Sequence, residues 1–165
     1  LPCLPGEFSN EEGLLVCKTC NENTFSSLSG QISCQSCGVG EKSEKNSAKC
    51  TKCDAGEAGT GDDGACEPCQ SGKYRNSTMD AETCFVCPAG WSSDLGSTKC
   101  RECEGGRYNG EDGEICKDCL IGKYRNSQMD ATKCKECDLG TSSEVASTKC
   151  SKCDAGEART TENGA

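Results

Sequence analysis

This sequence contains no histidine, so it has no Ser-His-Asp or Cys-His constellation and lacks the commonest metal ligand. Aromatic residues are nearly as scarce: three Phe, three Tyr and one Trp in 165 residues. Leu, Ile, Val and Phe together number 18, about 11% of the chain. A chain below roughly 20% in these residues, with a sizeable net charge, ordinarily stays disordered. The longest aliphatic run is Leu14-Leu15-Val16. It is far too short for a membrane span of about 20 apolar residues or for a secretory leader. Basic residues are also in deficit, with 18 Lys+Arg against 27 Asp+Glu and a net charge of −9. That balance argues against nucleic acid and against an anionic membrane surface, both of which are bound through Lys and Arg.

Cysteine is abundant, at 19 residues. A content above roughly 8–10% marks a disulfide scaffold in a secreted chain, and cross-links let a chain fold without a large core. A closed loop of about 15 residues contributes on the order of 3 kcal/mol in the chain-entropy model. Many small cores strung along the chain are therefore expected. A secreted chain needs a leader, so a longer polypeptide is expected to extend upstream.

After Cys3, every cysteine falls in a C-x2-C doublet: Cys17/Cys20, Cys34/Cys37, Cys50/Cys53, Cys66/Cys69, Cys84/Cys87, Cys100/Cys103, Cys116/Cys119, Cys134/Cys137 and Cys150/Cys153. A shift of 50 residues superimposes the set from Cys53 to Cys100 on that from Cys103 to Cys150. The domain organisation read from this period is a linker at 1–2, repeats at 3–52, 53–102 and 103–152, and the start of a fourth at 153–165. Each repeat holds three segment types in fixed order. An acidic Gly-rich one opens at Cys53 and Cys103, an aromatic-bearing one at Cys69 and Cys119, and a Ser-rich one ending in Lys-Cys at Cys87 and Cys137. Nearly every segment begins C-x-x-G, with Asn23 as the exception. Gly and Asn enter positive φ most cheaply, so a tight turn follows each opening cysteine. Phe8, Phe25, Tyr74, Tyr108 and Tyr124 come two positions later. They fit equally a ring packed on a disulfide or a half-exposed strand residue.

The period places the next cysteine immediately after Ala165, so Cys153 is expected to lack a partner within this chain. Two pairings suit the period. In a ladder each segment closes on itself, as Cys69–Cys84 and Cys87–Cys100. In a crossed scheme the last two bonds exchange, as Cys69–Cys87, Cys84–Cys100, Cys119–Cys137 and Cys134–Cys150. Both share Cys3–Cys17, Cys53–Cys66 and Cys103–Cys116. A ladder needs no fixed order of three segment types, which favours the crossed form, although spacing alone leaves both open.

The pattern C-x2-C-x-x-G-x-[YF]-x9-C-x2-C-P-x-G, from Cys66 to Gly90, resembles the ephrin-receptor-type cysteine-rich repeat. It resembles tumour-necrosis-factor-receptor and EGF-like modules more loosely. As spacing the resemblance covers essentially the whole chain and is best from Cys53 to Cys153; the first repeat departs at Asn23 and around Cys17. It implies a small disulfide-rich fold: an elongated tandem array of modules with short β-hairpins and irregular loops, almost no helix, and a crossed disulfide pair. It also implies a place in receptor ectodomains or in large cell-surface and matrix proteins.

Other chemistries compete with this reading. Paired doublets approach zinc-ribbon spacing, but an unbroken array with shared doublets and an odd count disfavours zinc. A catalytic C-x-x-C is usually single, whereas nine occur here in loops. Asp62-Asp63 and Glu111-Asp112 lack the ligand series of a calcium loop and read as solvated turns. Asn76-Ser77-Thr78 is a glycosylation acceptor sequence, whereas Asn126-Ser127-Gln128 is not. A glycan on Asn76 is expected, with no other cofactor and no metal. Lys73-Tyr74-Arg75 and Lys123-Tyr124-Arg125 are candidate protein-partner contacts, Tyr and Arg being hot-spot types; the competing reading is a solvated hairpin edge. The functional expectation is a non-enzymatic structural segment of an extracellular or cell-surface rod or filament, with proteins or further copies as partners. A ligand-binding ectodomain of a single-span receptor is the alternative.

Overall fold

The computed structural model describes residues 2–10, 16–59 and 65–154. Strands are two residues long, except Glu57–Gly59 and Cys66–Pro68 at three, and no helix occurs among the described residues. They pair two by two into nine sheets. In each pairing whose register is resolved, a strand just after the segment's turn runs antiparallel to the residues just after its closing cysteine, and the pairing of Glu57–Gly59 takes in the closing Cys66 as well. Examples are Lys123↔Glu136 with Tyr124↔Lys135, and Arg107↔Asp118 with Tyr108↔Lys117.

These hairpins decide the disulfides. The first and last cysteines of a segment lie at the neck of one hairpin, and the nine bonds form a ladder, from Cys3–Cys17 and Cys20–Cys34 through Cys69–Cys84 and Cys87–Cys100 to Cys119–Cys134 and Cys137–Cys150. Partners are 13 to 15 residues apart in sequence, with Cα atoms 5.5 to 5.8 Å apart. The crossed pairs Cys69–Cys87, Cys84–Cys100, Cys119–Cys137 and Cys134–Cys150 do not form. With Tyr124 opposite Lys135, continuing the register sets Cys134 beside the strand that follows Cys119. The Cys137 amide is meanwhile committed to the Gly122 carbonyl at 2.9 Å. Each doublet thus splits its two sulfurs between successive loops.

The chain divides into two compact units. The first comprises the chain up to Gln70 with Tyr74–Phe85 and Leu95–Thr98; the second comprises Ser71–Lys73, Val86–Asp94 and the chain from Lys99 onward. In both, the buried apolar residues are the segment-opening cysteines together with three alanines, Ala58, Ala81 and Ala131. The aromatics Phe8, Phe25, Tyr74, Tyr108 and Tyr124 are half-buried strand residues, and Trp91 is exposed.

Every described turn after an opening cysteine has positive φ at Gly or Asn, including Asn23 at 59°. At these turns the next loop docks. In the first unit the Gly6, Asn23 and Gly56 amides donate to the Ser26, Ser43 and Arg75 carbonyls at 2.8, 2.9 and 2.7 Å. In the second, the Gly72, Gly90, Gly106 and Gly122 amides donate to those of Ser93, Asn109, Arg125 and Ser143 at 2.9, 2.7, 2.6 and 3.0 Å. A later loop then lies over the turn. At Gly106 (φ 85°) an added Cβ would collide with the Ala146 carbonyl oxygen, and at Gly56 (φ 88°) with that of Gly96.

Candidate functional site

The residue six places after each opening cysteine is where the segment types diverge chemically. From Cys20 to Cys137 it is buried, whereas Ser9 after Cys3 is half-buried, and a buried side chain there must satisfy the surrounding loop carbonyls or be absent. The Ser-rich segments place Ser43, Ser93 and Ser143 there. Their hydroxyls donate to the carbonyls of Thr24, Lys73 and Lys123 at 2.9, 2.7 and 2.8 Å. The acidic segments place Gly59 and Asn109 there; the Asn109 amide group donates to the Trp91 and Glu114 carbonyls at 2.9 and 3.0 Å. The aromatic segments place Ser26, Arg75 and Arg125 there.

The two arginines are the largest fully buried side chains, at 1% and 0% exposure. In the first unit Arg75 donates from Nη1 to the carbonyls of Cys53, Asp54 and Glu57 at 3.2, 2.7 and 2.7 Å, and from Nε to that of Asp80 at 2.7 Å. In the second, Arg125 makes the same set: Cys103, Glu104 and Arg107 at 2.7, 2.9 and 3.0 Å, and Asp130 at 3.0 Å. Its Nη2 adds the Met129 carbonyl at 3.2 Å and the Glu102 carboxylate at 3.1 Å. A guanidinium carries five donors in a rigid fork, and here that fork ties the acidic segment to the aromatic one that follows. A buried polar group is tolerated only when so satisfied.

Arg75 and Arg125 are therefore internal clamps, which removes them from the candidate partner contacts. Lys73, Tyr74, Lys123 and Tyr124 are half-buried on their hairpin edges, and Lys123 reaches Glu136 at 3.5 Å. The signal for the clamps was legible as a recurring polar residue six places after every opening cysteine except Cys53, where Gly59 stands. Because it coincides with KYRNS, it reads as a surface motif when one repeat is seen alone.

Beyond each clamp lies a short loop. Asn76 and Asn126 are half-buried, with exposed residues at the next two positions. Asn76 Oδ1 accepts the Thr78 amide and hydroxyl at 2.9 and 2.7 Å; Asn126 Oδ1 accepts the Gln128 amide at 3.0 Å. Asp130 closes the second loop by accepting the Thr132 amide and hydroxyl at 2.9 and 2.8 Å, which holds its carboxyl below the ordinary Asp range. In the first unit, hydrogen bonds to Asp54 and Glu57 at 2.6 and 2.9 Å raise the Lys42 ammonium above its ordinary pKa.

Cys153 has no disulfide partner among the described residues. Asp62 and Asp63 lie outside the described residues. Glu111 and Asp112 are engaged in loop structure: the Glu111 amide donates to Asn109 Oδ1 at 3.0 Å, and Asp112 Oδ1 accepts the Ala89 amide at 2.8 Å. No group of three or more His, Cys, Asp or Glu is placed to hold a metal among the described residues, and none of those residues forms a helix long and apolar enough to cross a membrane.

Residues 6–49 match the family described as tyrosine-protein kinase ephrin type A/B receptor-like. The match falls on the first repeat, the one whose spacing departs most from the other two. No curated protein matches the chain. Together with the nine successive disulfide loops, the family match identifies cysteine-rich repeat architecture.

Proposed function

We propose that the chain is a non-catalytic structural segment of an extracellular or cell-surface assembly, a disulfide-stiffened array that acts as a spacer or filament element. The observation that supports this most is the recurrence of one loop-to-loop junction. The same turn amide meets the same carbonyl position at Gly6, Asn23 and Gly56 in the first unit and at Gly72, Gly90, Gly106 and Gly122 in the second. An array of this kind is stabilised by nearest-neighbour contacts and lengthens by addition of repeats. Disulfides at this density suit oxidising compartments outside the cytosol, and staples in place of a large core make the backbone resistant to proteolysis. Self-association or contact with other extracellular proteins would use the exposed loop faces.

The test is protease resistance and scattering of the oxidised chain. A spacer withstands trypsin until reductant is added, and its small-angle scattering shows a maximum dimension several times its cross-section. A compact scattering profile contradicts the spacer reading. A second reading, a ligand-binding receptor ectodomain, is favoured by the half-buried Lys73-Tyr74 and Lys123-Tyr124 edges. It predicts that alanine at one of these edges abolishes capture of a soluble protein while the other is dispensable.

A further inference from the structure

We propose that Asn76 is a site of N-linked glycosylation and that Asn126, in the equivalent loop, is not; the inference rests on the extracellular reading above. Asn76-Ser77-Thr78 is the single N-x-S/T acceptor in the chain. The loop is anchored from below by Arg75, which is 1% exposed. It is closed by the Asn76 amide donating to Met79 Sδ at 3.4 Å and the Met79 amide donating to the Asn76 carbonyl at 3.3 Å. Ser77 and Thr78 are exposed. Asn76 Oδ1 accepts three donors, the Thr78 amide, the Thr78 hydroxyl and the Met79 amide, at 2.9, 2.7 and 3.2 Å. With the oxygen turned into the loop, the NH2 of the side-chain amide is the part that faces away from those donors.

The second loop is a built-in control. Asn126 donates its amide to Met129 Sδ at 3.4 Å, and its Oδ1 accepts the amide two residues on, from Gln128, at 3.0 Å. The anchor, turn and exposure are the same, and the hydroxyl is missing. In the transfer, Nδ2 of Asn76 forms a bond to the anomeric carbon of an oligosaccharide donated by a polyisoprenyl diphosphate carrier. The anomeric C–O bond breaks, the lipid diphosphate leaves with that electron pair, and one amide proton is lost to a base of the transferase. An exposed loop accommodates the added sugar without disturbing the clamp.

The experiment is peptide mass analysis of the protein purified from its own cells, with a parallel sample alkylated without reductant. The expected result is an Asn76 peptide heavier by hexose and N-acetylhexosamine increments, an Asn126 peptide at its bare mass, and cysteines that resist alkylation. Thr78→Ala abolishes the increment, Thr78→Ser keeps it, and Gln128→Thr creates a second glycosylated site at Asn126. An unmodified Asn76 peptide in a sample whose cysteines are oxidised overturns the glycan alone. Cysteines that alkylate freely overturn the extracellular reading, and the glycan with it.

Discussion

Replacing Arg125 by Met tests how much the buried clamp contributes, since Met retains an apolar stem and loses every donor. Five carbonyls lose a donor, those of Cys103, Glu104, Arg107, Met129 and Asp130, and of these Glu104 keeps the Arg107 amide at 3.0 Å. The Glu102 carboxylate is 48% exposed and stays solvated, so no unpaired buried charge results. Leaving a buried acceptor unmet costs about 1–3 kcal/mol. The Cys103 carbonyl lies deepest and the others regain water in part, which sets the expected loss near ~3 kcal/mol, roughly 100-fold in the local opening equilibrium. Because the disulfides persist through that opening, hydrogen exchange is the appropriate assay. The probes are the Asn109 amide, bonded to the Ala131 carbonyl at 3.0 Å, and the Cys119 amide, bonded to that of Gly106 at 2.8 Å. Both exchange about two orders of magnitude faster in Arg125→Met, and Arg125→Lys recovers only part of the protection, because an ammonium cannot span the set. Protection within threefold of the parent, with all disulfides intact, refutes the assignment of Arg125 as a clamp.

Three further outcomes follow from local geometry. Gly106→Ala meets both the strain of a φ of 85° and the Ala146 carbonyl, and should cost more than the ~1–2 kcal/mol of the backbone term alone; the yield of oxidative refolding reads it out, and a parental yield contradicts the close docking. Ala146 itself has φ 57°, at a position where the other two repeats carry Asn46 and Gly96, so Ala146→Gly should raise stability by about 0.5–1 kcal/mol after the unfolded-state entropy is deducted, seen as slower exchange of the residue-146 amide. The depressed Asp130 pKa gives stability that is present above the ordinary Asp range and is lost as pH falls through the folded value; the Thr132 amide resonance should therefore titrate below that range and become flat in Asp130→Ala.

The fold class was legible because cysteine spacing is a strong constraint and little else competes with it in so polar a chain. The positive-φ turns were legible at every described C-x-x-G and at Asn23, since the residue types match the backbone demand. The disulfide pairing was not. Fixed segment order suggested a crossed knot, whereas the order is carried by side chains: Arg75 and Arg125 fasten each acidic segment to the aromatic one after it, and Ser93 and Ser143 bond back to Lys73 and Lys123. A ladder can thus keep three segment types in sequence through hydrogen bonds to carbonyls, which leave no trace in cysteine spacing. Arg75 and Arg125 were misplaced on the surface for the same reason, because a basic residue is ordinarily solvated unless loop carbonyls converge on it.

The most direct test of the ladder is a non-reducing peptide map of the native protein after blocking free thiols. The account predicts cross-linked peptides joining Cys69 to Cys84, Cys87 to Cys100, Cys119 to Cys134 and Cys137 to Cys150. Peptides joining Cys69 to Cys87 or Cys119 to Cys137 would contradict it.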